Sequence, residues 1–371
     1  MFKVDLDRFW KADIAAHKDN CFSKKSPQVA MGILMSDECV YTELDESGDP
    51  WGVEPQERQI DLNKRYNDKA ENVVGRRLLP ETFDPEDSEF PQVKQIGEIF
   101  GGSYDYIPGT GIWLSHPMDS EEDLQRTLDS VDSLDLRSHL LPSNWEEEKA
   151  RIYETYGKKP SFTRHIRGPV TLATSLLGEE NLIYLYYDNP DLFRRFSETI
   201  KRVVIDMFTI LDEEAGFSPE NAPGGFSFAD DNCALFTPEM YQDFGYPVLE
   251  AVFDRFSPNP GDMRYQHSDS AMDHLLPVLA KANLTGCNFG PTLTVEEIRK
   301  YMPHTRIDGQ LAPFTFMNND TDQIIAEVKR DCEMAMEGRG LNLSTAGSIN
   351  NGSLLTSMLA VMYAIQEYGQ Y

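Results

Sequence analysis

The pattern of hydrophobic and polar positions changes near residue 95. Residues 1–20 carry widely spaced apolar positions among charged ones, which predicts a polar amphipathic helix. From Leu44 to Phe90 the chain is dense in charge, proline and glycine and shows no sustained period, although aromatic and aliphatic residues recur in it. Because a disordered segment would lack such apolar anchors, we expect ordered but irregular loops in this stretch.

Beyond residue 100, short apolar runs alternate with helical stretches. A segment with helical periodicity follows each of the runs IRGPVTLATSLLG, GGFSFADDN, MRYQHSDS, NLTGCNFGP, RIDGQLAP and LNLSTAGS. Such alternation predicts a parallel sheet, and the glycine-rich phosphate loops of open nucleotide-binding sheets are absent from the sequence. We therefore expect an α/β fold in which residues 96–371 form a (β/α)8 TIM-type barrel. Residues 1–95 would form an N-terminal helix and irregular cap packed on the barrel, with residues 44–95 covering part of its mouth.

Three of the predicted helices have recognisable starts. Asn189 and Thr237 each precede a proline and an acidic residue, which is a common order at the first turn of a helix. Thr294 has Glu297 three residues further on and so predicts a capping box.

Composition and charge narrow the possible partners. The chain of 371 residues has 62 acidic and 34 basic residues and a net charge of −28, which disfavours binding to nucleic acid or to anionic membranes. No uncharged apolar run approaches the roughly 18 residues of a membrane span, and the N-terminus lacks an apolar signal-peptide core. The five cysteines form no CxxC pair. We expect reduced thiols and a cytoplasmic protein.

Polar residues cluster where the predicted strands end. In a barrel of this type the reacting residues lie at the carboxyl ends of the strands. Reading those ends gives Asp230, Asp231, His267, Asp269, Cys287, Asn288, Gln310, Ser344 and Thr345. We predict that Asp231, His267 and Asp269 project into one cavity and are the catalytic residues.

Several motifs together resemble the uroporphyrinogen decarboxylase superfamily. RGPVTLATSLLG followed by NPDLFRRF is similar to its GPxTLA segment and the next helix, and FADDNCALFTPEMYQDFGYPVL is similar to its aspartate-rich strand end. RYQHSDS, IDGQLAP and NLSTAGS fall where the superfamily carries its later strand ends, and GDPWG is similar to a segment of its methyltransferase branch. The resemblance extends from about residue 95 to the end of the chain and implies the barrel fold.

The resemblance implies one of two chemistries. True decarboxylases of the superfamily have arginines near the first strand and a histidine on the last strand, whereas this chain has PQVAMGILMSDE and NLSTAGS there. Methyltransferases that act on thiols use His-x-Cys and a further cysteine as zinc ligands. Here the first motif reads His267-Ser268-Asp269, and no cysteine lies near Ser344–Ser348. The chain therefore resembles the corrinoid-dependent methyltransferase branch more than the decarboxylases.

We accordingly expect an enzyme that moves a methyl group from a small O- or N-methylated substrate to a corrinoid carried by a partner protein. A cofactor-independent decarboxylase of a small acid or porphyrinogen-like substrate is one alternative, and a non-catalytic ligand-binding member of the family is another. The sequence leaves open whether the protein forms a homodimer.

The resemblance also suggests a zinc site. Zinc accepts imidazole and carboxylate ligands, so His267 and Asp231 would bind it, with Asp269 or Cys287 as the third ligand. The predicted substrate-binding residues are Arg164, Arg167, Asp230, Tyr265, Gln310 and Asn350. Structural roles remain open for some of these residues: Cys287 as a buried thiol, Arg164 and Arg167 as ion-paired wall residues, and Asp230 as a helix cap.

Overall fold

The structure is a computed structural model and describes residues 3–371. It contains a parallel sheet of seven strands in the order β1-β9-β8-β7-β6-β5-β4, and a separate two-stranded sheet of β2 and β3. The strand bounds are β1 Ala30–Met31, β2 Tyr104–Ile107, β3 Gly111–Leu114, β4 His165–Arg167, β5 Phe226–Ala229, β6 Arg264–Ser268, β7 Gly286–Phe289, β8 Arg306–Leu311 and β9 Leu341–Thr345.

The strand order confirms the predicted α/β class and the TIM-type succession of strands. From β4 to β9 each strand lies beside the next one along the chain, and β1 lies beside β9. The register is parallel, with Gly286 opposite Arg306 between β7 and β8, and Ile307 opposite Leu341 between β8 and β9. Seven strands of this sheet lie within residues 3–371, where the prediction had eight. The chain between β1 and β4 forms helices and the β2–β3 hairpin instead.

Helices separate the strands. The α-helices within residues 3–371 are α1 Leu6–Ala16, α2 Glu38–Leu44, α3 Gln56–Val74, α4 Ile96–Ile99, α5 Glu121–Asp132, α6 Leu136–Leu140, α7 Trp145–Tyr156, α8 Pro169–Leu177, α9 Glu179–Asp188, α10 Pro190–Glu214, α11 Pro238–Asp243, α12 Gly245–Phe256, α13 Leu276–Leu279, α14 Val295–Tyr301, α15 Pro313–Met317, α16 Thr321–Ala335 and α17 Leu355–Tyr368. In this part of the chain no helix combines the length and the apolar character needed to cross a membrane.

The chain divides into two compact units. The first takes in the chain up to Phe83, Pro108–Gly111 and Gln266–Tyr371, and the second takes in Asp84–Ile107 and Ile112–Tyr265. In the first unit the buried faces of α16 and α17 carry residues such as Val328, Cys332, Val361 and Ile365. In the second unit α10 and α12 enclose an aromatic core in which Phe193 and Phe244 have ring centroids 4.7 Å apart.

The three predicted helix starts are confirmed. The Asn189 side chain accepts a hydrogen bond from the backbone N–H of Leu192, and the Thr237 side chain accepts one from the N–H of Met240. Thr294 and Glu297 form a complete capping box at the start of α14. These local signals were readable because each helix start satisfies its own backbone donors with residues a few positions away.

The N-terminal region is more regular than its sequence predicts. Residues 56–74, expected to be irregular, form the 19-residue helix α3. Its buried face carries Leu62, Tyr66 and Ala70 at intervals of four residues, but polar residues on the same face hide the period. One of them, Asn67, accepts hydrogen bonds from the backbone N–H groups of Leu78 and Leu79 at 2.8 and 2.9 Å and so orders the loop after the helix.

The first strand of the sheet lies within residues 1–95. β1 pairs with β9 in parallel, and α1 is attached to it through a buried carboxylate. Asp13 accepts a hydrogen bond from the backbone N–H of Met31 at 2.8 Å, and burial raises the pKa of its carboxyl group. The segment predicted as a cap therefore contributes to the sheet itself.

Asp13→Asn is expected to remove a pH-dependent loss of stability. Because the pKa of Asp13 is raised, the folded protein keeps a proton that the unfolded chain loses above about pH 4. The stabilisation is fully present below that pH and is lost as the pH rises through the raised pKa. Urea unfolding at about pH 5 and about pH 8 should show the variant gaining stability relative to the parent protein at the higher pH. The exposed Asp7 on the same helix is the control position, and Asp7→Asn should follow the parent protein.

Candidate functional site

Strand β6 presents its alternate residues to one face of the sheet. Successive side chains of a strand point to opposite faces, so Tyr265 and His267 share a face, and the chain continues to Asp269 directly after the strand. Tyr265 and His267 are half-buried and Asp269 is exposed, whereas Gln266 and Ser268 on the opposite face are fully buried. His267, on the accessible face of β6, and Asp269, directly after the strand, are two of the three predicted catalytic residues.

The ring of His267 is oriented by Asn288 of β7. His267 Nδ1 lies 2.7 Å from Asn288 Oδ1. The Asn288 Nδ2 group donates to the backbone carbonyls of Thr345, at 2.9 Å, and of Asp308. Its Oδ1 accepts a hydrogen bond from the backbone N–H of Gly347 at 3.1 Å. Every polar atom of the Asn288 amide is therefore engaged, and the residue is buried.

Two glycines make room for Asp269. A Cβ atom added to Gly290 would lie 2.5 Å from the backbone oxygen of Asp269, closer than real Cβ contacts. A Cβ atom added to Gly347 would lie 3.0 Å from Asp269 Cβ, and the φ of +120° at Gly347 itself favours glycine. The prediction did not include Gly290 and Gly347, although Gly290 is marked in the sequence by its position two residues after the polar Asn288, at the end of a strand.

The two consecutive aspartates after β5 have different roles. Asp230 is fully buried, and its Oδ1 accepts a hydrogen bond from the backbone N–H of Thr171 at 2.8 Å in the first turn of α8. Burial raises the pKa of the Asp230 carboxyl group to about 7. Asp231 is half-buried, and the next residue, Asn232, is also bonded to α8, since its backbone N–H donates to Thr171 Oγ1 at 2.9 Å. Asp231 therefore lies between two residues that are anchored on α8.

Asp230, predicted as a substrate-binding residue, thus caps a helix. Its carboxylate serves α8, which precedes it in the chain, whereas Thr237 caps the helix that follows. The alternation of side chains along β5 explains why Asp230 points towards the helices. Asp230 is two positions beyond Phe228 and so points to the same face, and Phe228 packs on Phe253 of α12 with ring centroids 5.5 Å apart.

Gly168→Ala is expected to disturb this cap. A Cβ atom at Gly168 would lie 2.2 Å from Asp230 Cβ, so the carboxylate would have to leave the first turn of α8. We expect the free energy of unfolding to fall by about 1–3 kcal/mol, the usual cost of overpacking. Gly338→Ala is the matched control, because its Cβ would meet only the Arg299 side chain at ordinary distances from 3.6 Å, and a change below about 0.5 kcal/mol is expected. Equal effects of the two substitutions in chemical denaturation would contradict this account.

The two arginines of β4 and its flank lie at opposite ends of the strand. Arg164 precedes β4 and is held by an ion pair with Asp212, a bond to the carbonyl of Pro223 and the ring of Phe256 at 4.9 Å. It is a wall residue at the amino end, away from the strand ends that carry the other candidates. Arg167 ends β4, is half-buried and donates a hydrogen bond to Ser175 Oγ at 3.2 Å.

Gln310 and Asn350 occupy loop-supporting positions. Gln310 is fully buried, and its Nε2 donates to the carbonyls of Gly290 and Leu293 at 3.1 and 2.8 Å. It therefore fixes the loop after β7. Asn350 is half-buried in the loop after β9, where its carbonyl accepts a hydrogen bond from the backbone N–H of Ser353 at 3.2 Å.

Cys287, predicted as a possible zinc ligand, is fully buried in β7. It lies on the opposite face of the strand from Asn288, which contacts His267. Burial also raises the pKa of its thiol, which disfavours the thiolate that binds metals. A role for Cys287 as a metal ligand therefore has no support from its surroundings.

Comparison with known proteins places this geometry in a family context. Residues 90–368 match the sequence model of a family described as uroporphyrinogen decarboxylase (URO-D). A solved structure described as a methyltransferase from Methanosarcina mazei is similar over 99% of each chain, with a TM-score of 0.58 and 15% sequence identity. At that identity the similarity shows a shared fold. No match was found among curated proteins.

Proposed function

Because the chain belongs to the uroporphyrinogen decarboxylase family, we propose that it is a methyltransferase of that family. The proposed reaction moves a methyl group from a small O- or N-methylated substrate to a corrinoid carried by a partner protein. A protein described as a methyltransferase has the same fold. The choice over decarboxylation is supported by the absence of arginine from β1 and the loop after it, where the decarboxylases carry arginines.

The observation that carries the proposal is a set of three potential metal ligands. One ligand atom each from Asp231, His267 and Asp269 lies within 4.8 Å of the other two. Two carboxylates and one imidazole suit a divalent ion such as zinc, and three protein ligands leave a coordination position open for substrate. We therefore propose Asp269, rather than Cys287, as the third ligand.

The protein residues around this set fit a metal site. Histidine ligands in proteins usually donate their second ring N–H to an oxygen acceptor, and Asn288 Oδ1 is that acceptor for His267. Gly347 leaves room for the side chain of Asp269, and Gly290 leaves room for its backbone. When bound, the ion would supply Lewis-acid activation of the heteroatom that loses the methyl group.

The proposed chemistry assigns simple tasks to the side chains. In methyl transfer the bond between the methyl carbon and the heteroatom breaks, its electron pair stays on the heteroatom, and that atom then takes up a proton. The methyl carbon forms its new bond with an electron pair supplied by the reduced corrinoid. Asp231, His267 and Asp269 would hold the activating group in place. Arg167, half-buried at the end of β4, would bind an anionic part of the substrate, and Tyr265 shares the accessible face of β6 with His267.

A reconstitution tests this proposal. The protein, loaded with zinc, is mixed under anaerobic conditions with a reduced free corrinoid and a panel of O-methyl and N-methyl compounds. We expect methylation of the corrinoid, followed by its absorbance, with at least one compound and only in the presence of metal. Release of carbon dioxide from a carboxylate substrate by the protein alone, with no methylation of the corrinoid by any compound, would contradict it and favour the decarboxylase.

A further inference from the structure

The polar groups around Asn288 determine which way its amide points. Two backbone carbonyls, of Asp308 and Thr345, face one side of the amide, and carbonyls only accept hydrogen bonds. The backbone N–H of Gly347 faces the other side and only donates. The NH2 group must therefore face the carbonyls, and the oxygen must face Gly347 and His267.

This orientation has a consequence for the imidazole. Since Asn288 Oδ1 is an acceptor, the nitrogen of His267 that lies 2.7 Å away must carry the hydrogen. In the neutral ring Nδ1 is then the donor and Nε2 carries the lone pair. From this geometry we infer that Asn288 is a positioning residue that selects the Nδ1–H tautomer of His267. The inference rests on the proposed function only for the use of that lone pair as a metal ligand or a base.

The same contacts connect His267 to three other strands of the sheet. Asn288 lies in β7, and it bonds to backbone groups of Asp308 in β8 and of Thr345 and Gly347 at the end of β9. Gly347 also provides the space beside Asp269. One turn after β9 therefore supports both proposed ligands of the first unit, directly for Asp269 and through Asn288 for His267.

The tautomer can be measured without any substrate. Selective ¹⁵N labelling of histidine rings distinguishes Nδ1–H from Nε2–H, and His267→Gln identifies the signal. Spectra of the chelator-treated protein at about pH 8.5, well above the ordinary pKa of histidine, should show His267 as the Nδ1–H tautomer. An Nε2–H tautomer in the parent protein would overturn the inference by itself.

Two substitutions at position 288 show whether the tautomer of His267 depends on the hydrogen-bond acceptor of Asn288 or only on the packing of its side chain. Asn288→Asp keeps an acceptor for His267 and should retain the Nδ1–H tautomer, whereas Asn288→Leu should mix the tautomers and weaken zinc binding by about 10- to 100-fold. Asn342→Leu is the matched control, because Asn342 is another amide of the same sheet that contacts Asp308, at 3.0 Å, but not His267. The tautomer of His267 should be unchanged in Asn342→Leu.

Three results with the variants would also overturn the inference: an unchanged tautomer in Asn288→Leu, loss of the Nδ1–H tautomer in Asn288→Asp, or an equal change in the control. If methyl transfer is never observed but the tautomer responds as expected, the role of Asn288 stands and the proposed function fails.

Discussion

His267→Ala is expected to abolish metal binding and methyl transfer together. The substitution removes the only nitrogen ligand of the proposed set and leaves two carboxylates whose negative charges repel each other. Loss of a residue that only hydrogen-bonds to a metal ligand typically costs about 10- to 100-fold in metal affinity, so loss of the ligand itself should cost more. Zinc stoichiometry after gel filtration and the initial rate of corrinoid methylation measure the two effects.

The exposed His304 is the control position for this experiment. His304→Ala should bind one zinc ion per chain and transfer methyl groups at the rate of the parent protein. Zinc bound equally by His267→Ala and the parent protein would exclude His267 as a ligand. Loss of methyl transfer with full zinc binding would instead assign His267 to proton transfer.

Gly290→Ala is expected to have the second-largest effect. The new methyl group would lie 2.5 Å from the backbone oxygen of Asp269 and 2.8 Å from that of Ser270. These are backbone atoms, so the clash cannot be relieved by rotating a side chain, and the segment after β6 must move. We expect zinc binding at least about tenfold weaker and a free energy of unfolding lower by about 1–3 kcal/mol.

Titration calorimetry with zinc and urea unfolding measure these two quantities for the variant. Gly338→Ala, whose methyl group meets only the Arg299 side chain at 3.6 Å or more, should leave both unchanged. If Gly290→Ala binds zinc as tightly as the parent protein, the position of Asp269 does not limit metal binding and its assignment as a ligand loses its support.

The regular features of the fold were predictable because local signals carry them. Apolar runs and helical periods indicated the strand–helix units, and short polar motifs indicated the starts of α10, α11 and α14. The helix α3 was not predicted, because Asn67 on its buried face serves the loop at Leu78 and Leu79, which lies beyond the helix. A polar residue that satisfies distant backbone groups looks like an exposed position in the sequence.

Within the candidate site, residue type was easier to predict than direction. Asp230 and Asp231 were both expected near substrate. Asp230 faces α8 instead, because it lies two positions after Phe228 and its side chain points to the same face of the sheet. Alternation along β7 likewise separates Cys287 from Asn288, of which the second contacts His267. Applying the two-residue period of a strand to its polar end would have made both distinctions from the sequence.

Anomalous diffraction at the zinc absorption edge, from crystals of the zinc-loaded protein, tests the central claim most directly. The proposed site predicts one peak per chain, within about 2.0–2.2 Å of a His267 ring nitrogen and of carboxylate oxygens of Asp231 and Asp269. A peak beside Cys287, or full zinc stoichiometry with no peak at these three side chains, would contradict it.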